Sequence, residues 1–520
     1  MLAGLRRRRT TRNREQVMAI SAQTEGNSEA AGARRVRMRP MLSWPCIVAL
    51  AALLRPLAAD LAVLNDPDTY LHIAAGRWMI THRALPTHDP FSHTLAGAPW
   101  VPHEWLAEIV LAGAYGLAGW PGLVLLTALC FAGALALLTR ALLRRWEPFS
   151  GLIAVGLSGA LLLPHLLARP HALALPVMVA WCAVLIAARD DGRVPALTAL
   201  PLMTLWANLH GGFMVGLALA AFLAAEAAWE AATPQQRWHS LSRWGGFLAL
   251  SAGAALLTPN GLHGLLQPFQ LLDMPALQQS FSEWQSADFH SFSPLEPWLL
   301  GLLLVAFATG LRVQMPRLLL LLMLIHLALA HVRHADLVAL MAPLILSASL
   351  GPQLAARIRA MPSSALSERV AALASPAGAS GAVLTIALVA IVGVATLLRP
   401  IVRPDGPETP GAALAAAAAL GVSGPVLNSE SFGGYLIFKG VPSFIDGRIE
   451  MYGDAFLRRD LAIEQGAEPA LDDALDQYGI TWTLLHPWDG AVAALDRSPG
   501  WQRAYSGPDA VVHIRTAPAH

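Results

Sequence analysis

Long apolar blocks recur along this chain, separated by short polar or basic stretches. Many are long enough to cross the hydrocarbon core of a bilayer, which takes about 20 residues of helix. They are rich in Ala and Leu with few β-branched runs, so they read as helices rather than as strands of a barrel. The blocks predict spans at 42–64, 121–142, 150–168, 171–189, 195–209, 212–231, 244–258, 297–311, 317–331, 335–350 and 380–398. The expected class is therefore an α-helical polytopic membrane protein of about eleven spans. The segments divide the chain into a basic tail (1–41), a membrane domain (42–398) with large outer loops at 65–120 and 259–296, and a terminal domain (399–520).

Composition agrees. Of 520 residues, 55% are hydrophobic and only 14% charged, against about 25% charged in an ordinary soluble protein. A net charge of +1 gives no reason to expect nucleic acid as a partner. Cys46, Cys130 and Cys182 all lie in apolar runs, which argues against a disulfide framework or a zinc site. The tail carries Arg6 to Arg9 and a second cluster at Arg34, Arg35, Arg37 and Arg39, and reads as a disordered cytoplasmic extension. A signal peptide cleaved after Leu57-Ala58-Ala59 is the alternative.

Lys and Arg accumulate on the cytoplasmic side of a membrane. With the N-terminus inside, Arg140, Arg144, Arg145, Arg189, Arg193, Arg237, Arg243, Arg312, Arg317, Arg357, Arg359 and Arg369 all fall inside. Before the last span only Arg77, Arg83, Arg169 and Arg333 fall in outer loops, with Arg55 inside the first span near its outer end. The pattern requires 105–118 to lie at the outer interface rather than to cross. The terminal domain then lies outside, which for a bacterial inner-membrane protein means the periplasm. Histidines test this independently. His72, His82, His88, His93 and His103 share the first outer loop, and His165, His171, His210, His263, His290, His331 and His334 sit at other outer positions. Asp66, Asp68, Asp89, Glu104, Glu108, Glu283, Asp288 and Asp336 are outer as well. Ionisable groups at a membrane are costly to desolvate, so this clustering predicts an outward-facing polar cavity.

The densest chemistry is Asn65-Asp66-Pro67-Asp68-Thr69-Tyr70-Leu71-His72, followed by Gly76-Arg77-Trp78. Pro67 suits a first helical turn and Asp66 an N-cap. Asp68 and His72 are then four apart on one face. Such a face suits an acid/base pair or a divalent metal, with Arg77 for a phosphate; a capped interfacial helix with a local Asp–His bond is the plainer alternative. His88-Asp89-Pro90-Phe91-Ser92 and Trp100…His103-Glu104-Trp105-Leu106 follow. Arg169 and His171 lie in an outer turn, His210 precedes Gly211-Gly212, and Arg333 and His334 occupy the last short outer turn. For Arg333 a local pair with Asp336 is the structural alternative.

A long outer loop after the first span, with acids soon after the membrane exit and then a multi-span bundle, resembles the C-type membrane glycosyltransferases. The Asp68-x-x-x-His72-x-x-x-Gly76-Arg77-Trp78, Asp89-Pro90-Phe91-Ser92 and Glu104-Trp105-Leu106 runs are more specifically similar to a group of bacterial membrane proteins. So are Glu283-Trp284, Asp288-Phe289, Gly433-Gly434-Tyr435-Leu436 and Phe444-Ile445-Asp446-Gly447-Arg448. The resemblance implies inverting transfer of a sugar from a polyprenyl-phosphate carrier to an acceptor on the outer face. Its catalytic base or metal ligand falls on Asp66 or, sharing a face with His72, on Asp68. The substrate-binding candidates are Arg77, Asp89, His103, Glu104, Arg169, His171, His210, Arg333 and His334. No WWDYG-type motif is present, so transfer to peptide Asn is not implied.

The chemistry is coherent by itself. A base must deprotonate the acceptor hydroxyl, and a cation must stabilise the departing phosphate. Arg suits that second role because its fork binds bidentately.

The terminal domain reads as α/β: an Ala-rich helix, a strand at 425–428, a turn at Gly433-Gly434, a strand at 443–446, helices around 455–478, a strand at 481–485, a helix at 490–497 and a strand at 510–515. Asp446, Arg448 and Tyr452 then follow a strand end, where such sheets bind ligands, and are candidate acceptor-binding residues. A surface turn is the alternative. A transporter or flippase of a lipid-linked substrate and a non-enzymatic scaffold are the rival functions.

Overall fold

A computed structural model describes residues 41–360 and 364–516. The expected basic tail lies, but for Met41, outside the described residues. The molecule is mostly helical, with one small sheet near its C-terminus.

The expected apolar runs each form helix. Helix α1 (Trp44–Ala58) continues into α2 (Asp60–Leu64), and α3 (Asp68–His82) lies beyond them. Then come α4 (Trp105–Leu142), α5 (Pro148–Leu162), α6 (Pro170–Asp190), α7 (Leu200–Leu209), α8 (Phe213–Trp229) and α9 (Pro234–Ala255). Helices α10 (Gly261–Leu272) and α11 (Pro275–Ser280) belong to the second large loop. Next are α12 (Leu295–Thr309), α13 (Met315–Ala330), α14 (Ala335–Ile345), α15 (Ser347–Arg359), α16 (Ala365–Ala372) and α17 (Ala379–Leu397). Local chemistry sets the starts. Pro148, Pro170 and Pro234 occupy first turns, where a missing N–H costs nothing. Glu147 and Thr233 cap two of these helices, accepting the N–H of Ser150 and of Gln236.

Among the described residues four helices are long and apolar enough to cross a membrane: α4, α5 with the short turn to His165, α6 and α17. A fifth span forms if the bent pair α14–α15, angled at 63°, is one crossing. Five shorter apolar helices accompany them. Helix α17 exposes Val383, Ile386, Ile391 and Val394, as a lipid-facing helix does. Within α4, Gly119 takes φ 61°, ψ −147°, a conformation open to glycine, and breaks the helix ahead of Pro121. The segment 105–118 is thus set off by a kink from the apolar run after it.

The bundle has two polar poles. At one, Arg317 donates to Glu226 (2.6 Å) and Asp190 (2.8 Å), Arg145 to Asp191 (2.6 Å), and Arg189 to Glu230. These belong to the set predicted to be cytoplasmic. The other pole begins at Arg169, the opposite end of α6. Twenty-one helical residues separate the poles by about 31 Å, the thickness of a hydrocarbon core.

Beyond α17 come α18 (Gly411–Ala419), β1 (Val426–Asn428), α19 (Glu430–Phe438), α20 (Ile449–Glu464), α21 (Glu468–Gln477), β2 (Trp482–Leu485), α22 (Gly490–Arg497), β3 (Trp501–Ser506) and β4 (Val511–Arg515). The sheet order is β1-β2-β4-β3, with β1 and β2 parallel and the other pairs antiparallel. Two expectations fail here, and one strand is new. Gly433-Gly434 is not a turn but lies inside α19, where a glycine at 434 lets the helix approach the Pro67 carbonyl. Residues 443–446 are not a strand of the sheet; their backbone pairs with the first outer loop, through Ser443 N–H to Phe91 O (3.3 Å) and His93 N–H to Ser443 O (2.9 Å). Strand β3 was not foreseen. The first loop and the terminal unit therefore pack together at the same pole.

Candidate functional site

Helix α3 starts the site. Asp66 accepts the Asp68 N–H (3.2 Å) and the Thr69 hydroxyl (3.1 Å), fixing the first turn. Its carboxylate is fully buried and takes a two-pronged contact from Arg169, Nε to Oδ2 at 2.6 Å and Nη2 to Oδ1. The same guanidinium reaches Asp68 Oδ2 (3.1 Å) and Glu283 Oε2 (3.4 Å). Glu283 faces Arg333 at 3.9 Å, and Arg333 lies 4.5 Å over the Trp284 ring. Arg403, from the linker after α17, donates to the Asp66 carbonyl (3.0 Å) while stacking on Tyr70 (4.3 Å). Segments far apart in sequence thus converge on one cluster.

The two aspartates differ in chemistry. Burial opposes ionisation of Asp66, yet Arg169 holds its carboxyl below the ordinary range. Asp68 is pushed up to about 6, by burial first and then by Asp66 and Glu283, against the pull of Arg169 and His72. Its side chain keeps 25% exposure, so it is the carboxylate that a substrate can reach. The backbone of Gly447, in the terminal unit, covers it closely: a Cβ there would collide with Asp68 Oδ1.

His72 does not bond Asp68. Its Nδ1 meets Glu108 Oε1 at 3.3 Å. Burial alone would lower the imidazole, but the Glu108 bond and the fields of Glu104, Glu108 and Asp68 lift it to about 9. It is an imidazolium at neutral pH, and a poor metal ligand. Asp66 is committed to Arg169, whose guanidinium occupies the place between the two aspartates that a divalent ion would need. The Asp68–His72 pair therefore does not fit a metal, and among the described residues no group of three or more His, Cys, Asp or Glu is arranged to hold one.

Glu104 lies 3.8 Å from His103 Nε2 and 3.7 Å from His210 Nε2. Burial, with the charges of His171 and Arg333 nearby, keeps His210 well below the ordinary imidazole range. The His171 and His210 rings are 6.4 Å apart, and His171 Nε2 bonds the His165 carbonyl (2.9 Å). His334, beside His331 and Arg333, is lowered to about 4 by burial and by those charges. Beside Glu104 and His210, Asn208 accepts from Trp105 Nε1 (2.8 Å) at the polar end of an apolar groove of about 880 Å³. Leu106, Leu200, Leu250 and Leu257 line its length.

Several candidates are not in this cluster. Arg77 is nine residues beyond Asp68, about half a turn around the helix, and lies 4.2 Å over the Phe438 ring instead. It makes no ion pair with the acids among the described residues. Asp89, Asp446, Arg448 and Tyr452 form a buried clamp between the first loop and the terminal unit. Arg448 donates to Asp89 Oδ1 (2.5 Å) and to both oxygens of Asp446 (2.7 and 2.8 Å). Tyr452 (2.8 Å) and Ser443 (3.0 Å) donate to Asp446 too. With Asp446 fully buried and Arg448 3% exposed, these groups are spent on one another. No strand of the sheet precedes them, and their side chains bond one another across the junction between loop and terminal unit rather than opening on a cleft. The Asp336 alternative for Arg333 is replaced by Glu283 and Trp284. Glu283 and Glu108, placed by sequence only among the outer acids, hold Arg169 and His72; Arg403 gave no signal, since a linker arginine looks like any other.

No family model matches the chain, and no curated protein matches it. Among solved structures it is similar to the archaeal oligosaccharyltransferase AglB of Archaeoglobus fulgidus, in complex with an inhibitory peptide and a dolichol-phosphate. The match has 12% identity, covers 85% of this chain and 69% of AglB, and has a TM-score of 0.50. ArnT of Cupriavidus metallidurans bound to undecaprenyl phosphate aligns at 16% identity over 90% of this chain and 97% of ArnT, with a TM-score of 0.44. AglB and ArnT are both C-type membrane glycosyltransferases, and the AglB likeness shows that fold for this chain.

Proposed function

We propose that this protein transfers a sugar from a polyprenyl-phosphate carrier to an acceptor hydroxyl, at the outer face of a bacterial inner membrane. In this reading the bundle crosses the membrane about eleven times, and 399–520 is a periplasmic domain. The observation that carries it is the cluster of Asp66, Asp68, Arg169, Glu283 and Arg333, with one reachable carboxylate of raised pKa beside one under-used guanidinium. The likeness to enzymes of this fold, one solved with a dolichol-phosphate, supports it.

Asp68 is the general base. A pKa of about 6 leaves it mostly ionised at neutral pH yet basic enough to take the acceptor's proton as the new glycosidic bond forms. The sugar–phosphate bond breaks with its electron pair leaving on the phosphate. Arg169 is saturated by Asp66, Asp68 and Glu283, so it positions the carboxylates. Arg333 touches Glu283 only at 3.9 Å and keeps donors for the phosphate. His72, protonated, adds positive field. The isoprenoid tail lies in the apolar groove that ends at Asn208. A transporter needs a polar site at mid-bundle, whereas the ion pairs here gather at two poles.

The test uses the full chain in detergent. Undecaprenyl phosphate is titrated into wild type, Arg333→Ala and Asp68→Asn, and sugar release from a polyprenyl-phosphate sugar is followed for each. Arg333→Ala is expected to weaken lipid-phosphate binding about 10-fold, roughly 1.4 kcal/mol. Asp68→Asn is expected to bind normally and lose turnover by about 100-fold or more. Equal binding by all three proteins and by a tail-only lipid alcohol would sink the proposal.

A further inference from the structure

Four carboxylates of the terminal unit that the mechanism does not use form a group: Glu430, Asp460, Glu464 and Asp489. They meet at the C-terminal ends of the parallel strands β1 and β2, the edge where open α/β sheets bind ligands. Glu430 follows β1 and Asp489 follows β2, while Asp460 and Glu464 are one turn apart at the end of α20. Ser429 donates its hydroxyl (2.6 Å) and His486 its backbone N–H (3.0 Å) to Asp489. The Glu430 N–H serves Glu464.

Asp460 is different. It is 2% exposed, and its Oδ2 is buried with no hydrogen-bond partner. A native fold seldom leaves such an atom unmet unless something absent completes it. The charges that act on Asp460 are Glu464, Glu430 and Asp489, all of its own sign. Of the cations, Arg169 reaches Glu430 but is already shared among three acids, and His486 adjoins Asp489. Burial holds all four carboxyls above the ordinary range, and like charges add to it for Glu430, Asp460 and Glu464, the last at about 7. The rim is open: Glu430, Glu464 and Asp489 are half-buried, and Trp488 is 65% exposed and stacked on His486 at 4.5 Å. Glu430 also feels Asp68 directly, so the cleft adjoins the carboxylate assigned as base.

We propose that this cleft binds a protonated primary amine carried by the acceptor. It rests on the transfer reading for the word acceptor, but not for the binding. An ammonium has three donors and no acceptor, which suits several converging carboxylates, including the unmet oxygen of Asp460. The exposed Trp488 face offers a cation–π wall. A metal ion would need three or more of these oxygens around one point, which no group among the described residues supplies, whereas an ammonium is served by two neighbouring carboxylates. Bound at Glu430, the amine presents a neighbouring hydroxyl toward Asp68.

The probe is ethanolamine, which stays protonated across the working pH range, with ethylene glycol as its neutral isostere. Binding to the full chain in a maltoside detergent is measured by ligand-observed NMR between pH 5.5 and 8. Ethanolamine is expected to bind at least 10-fold tighter than ethylene glycol. Its affinity is expected to rise as pH climbs through about 7, because Glu464 and its partners must give up protons to bind a cation. Asp68, Asp446, Arg169 and His486 also act on these groups, so Asp460→Asn and Glu464→Gln are the deciding variants. Each is expected to weaken ethanolamine at least 5-fold while leaving undecaprenyl phosphate binding unchanged. Equal binding of the two probes, or unchanged ethanolamine binding in both variants, overturns the proposal. A loss of lipid-phosphate binding elsewhere leaves this result intact and counts against the transfer reading alone.

Discussion

Arg169→Gln removes the one guanidinium shared by Asp66, Asp68 and Glu283, and its cost follows from the burial of Asp66. That carboxylate has no solvent exposure and takes both of its charge-assisted side-chain contacts from Arg169. Breaking a buried ion pair from one side costs about 3–5 kcal/mol, because the remaining charge stays buried without a partner. Asp66 also accepts from Asp68 N–H and Thr69, which recover part of this, so about 3 kcal/mol is expected. The double variant Asp66→Asn with Arg169→Gln removes the stranded charge and should cost less than the single one, a coupling of about 1–3 kcal/mol. The assay is thermal and denaturant unfolding of the full chain in detergent at pH 7.5, run as a double-mutant cycle. A second readout is functional. Arg169 lowers the Asp68 pKa, so its removal drives that pKa above about 6 and moves the acid limb of the turnover profile to higher pH. The sign of the stability effect is also fixed. Asp66 has a lowered folded pKa, so its contribution is present above the unfolded pKa and fades as pH falls through the folded one. The single and double variants should therefore converge with wild type as the medium becomes acidic. Additive single effects at pH 7.5, or a single variant within about 0.5 kcal/mol of wild type, would refute the claim that Arg169 is the keystone of this cluster.

Arg448→Met leaves Asp89 and Asp446 buried without their cation, and should destabilise the junction of loop and terminal unit by about 3–5 kcal/mol; faster proteolysis in 91–95 measures it. Gly447→Ala sets a methyl against Asp68 Oδ1, so turnover should fall about 10-fold or more with lipid-phosphate affinity unchanged; a wild-type rate would mean that the terminal unit does not cover the base. In wild type, turnover should lose about tenfold per pH unit below about 6, as Asp68 takes up its proton; a flat acid limb would remove Asp68 from that role.

The apolar blocks by themselves determined that this chain is a helical bundle, because a run of Leu and Ala long enough for a bilayer can satisfy its backbone in few other ways. Arginine placement likewise foretold which helix ends share a pole, and Gly119 with Pro121 ends the segment 105–118 through purely local backbone chemistry. The pairing of acids with bases was not legible. Asp68 and His72 share a helical face, so sequence joined them, yet their partners are Arg169 and Glu108, about 100 and 36 positions away. Asp446, Arg448 and Tyr452 have the look of a ligand-binding turn until the first loop fills it with Asp89. The Ser443–Asp446 run has the composition of a strand, but a backbone's partner is set by what packs against it, and here that is another loop. Spacing along a chain governs only near neighbours; which charges lie buried beside one another, and so which pKa values move, is decided when distant segments close over the same small volume.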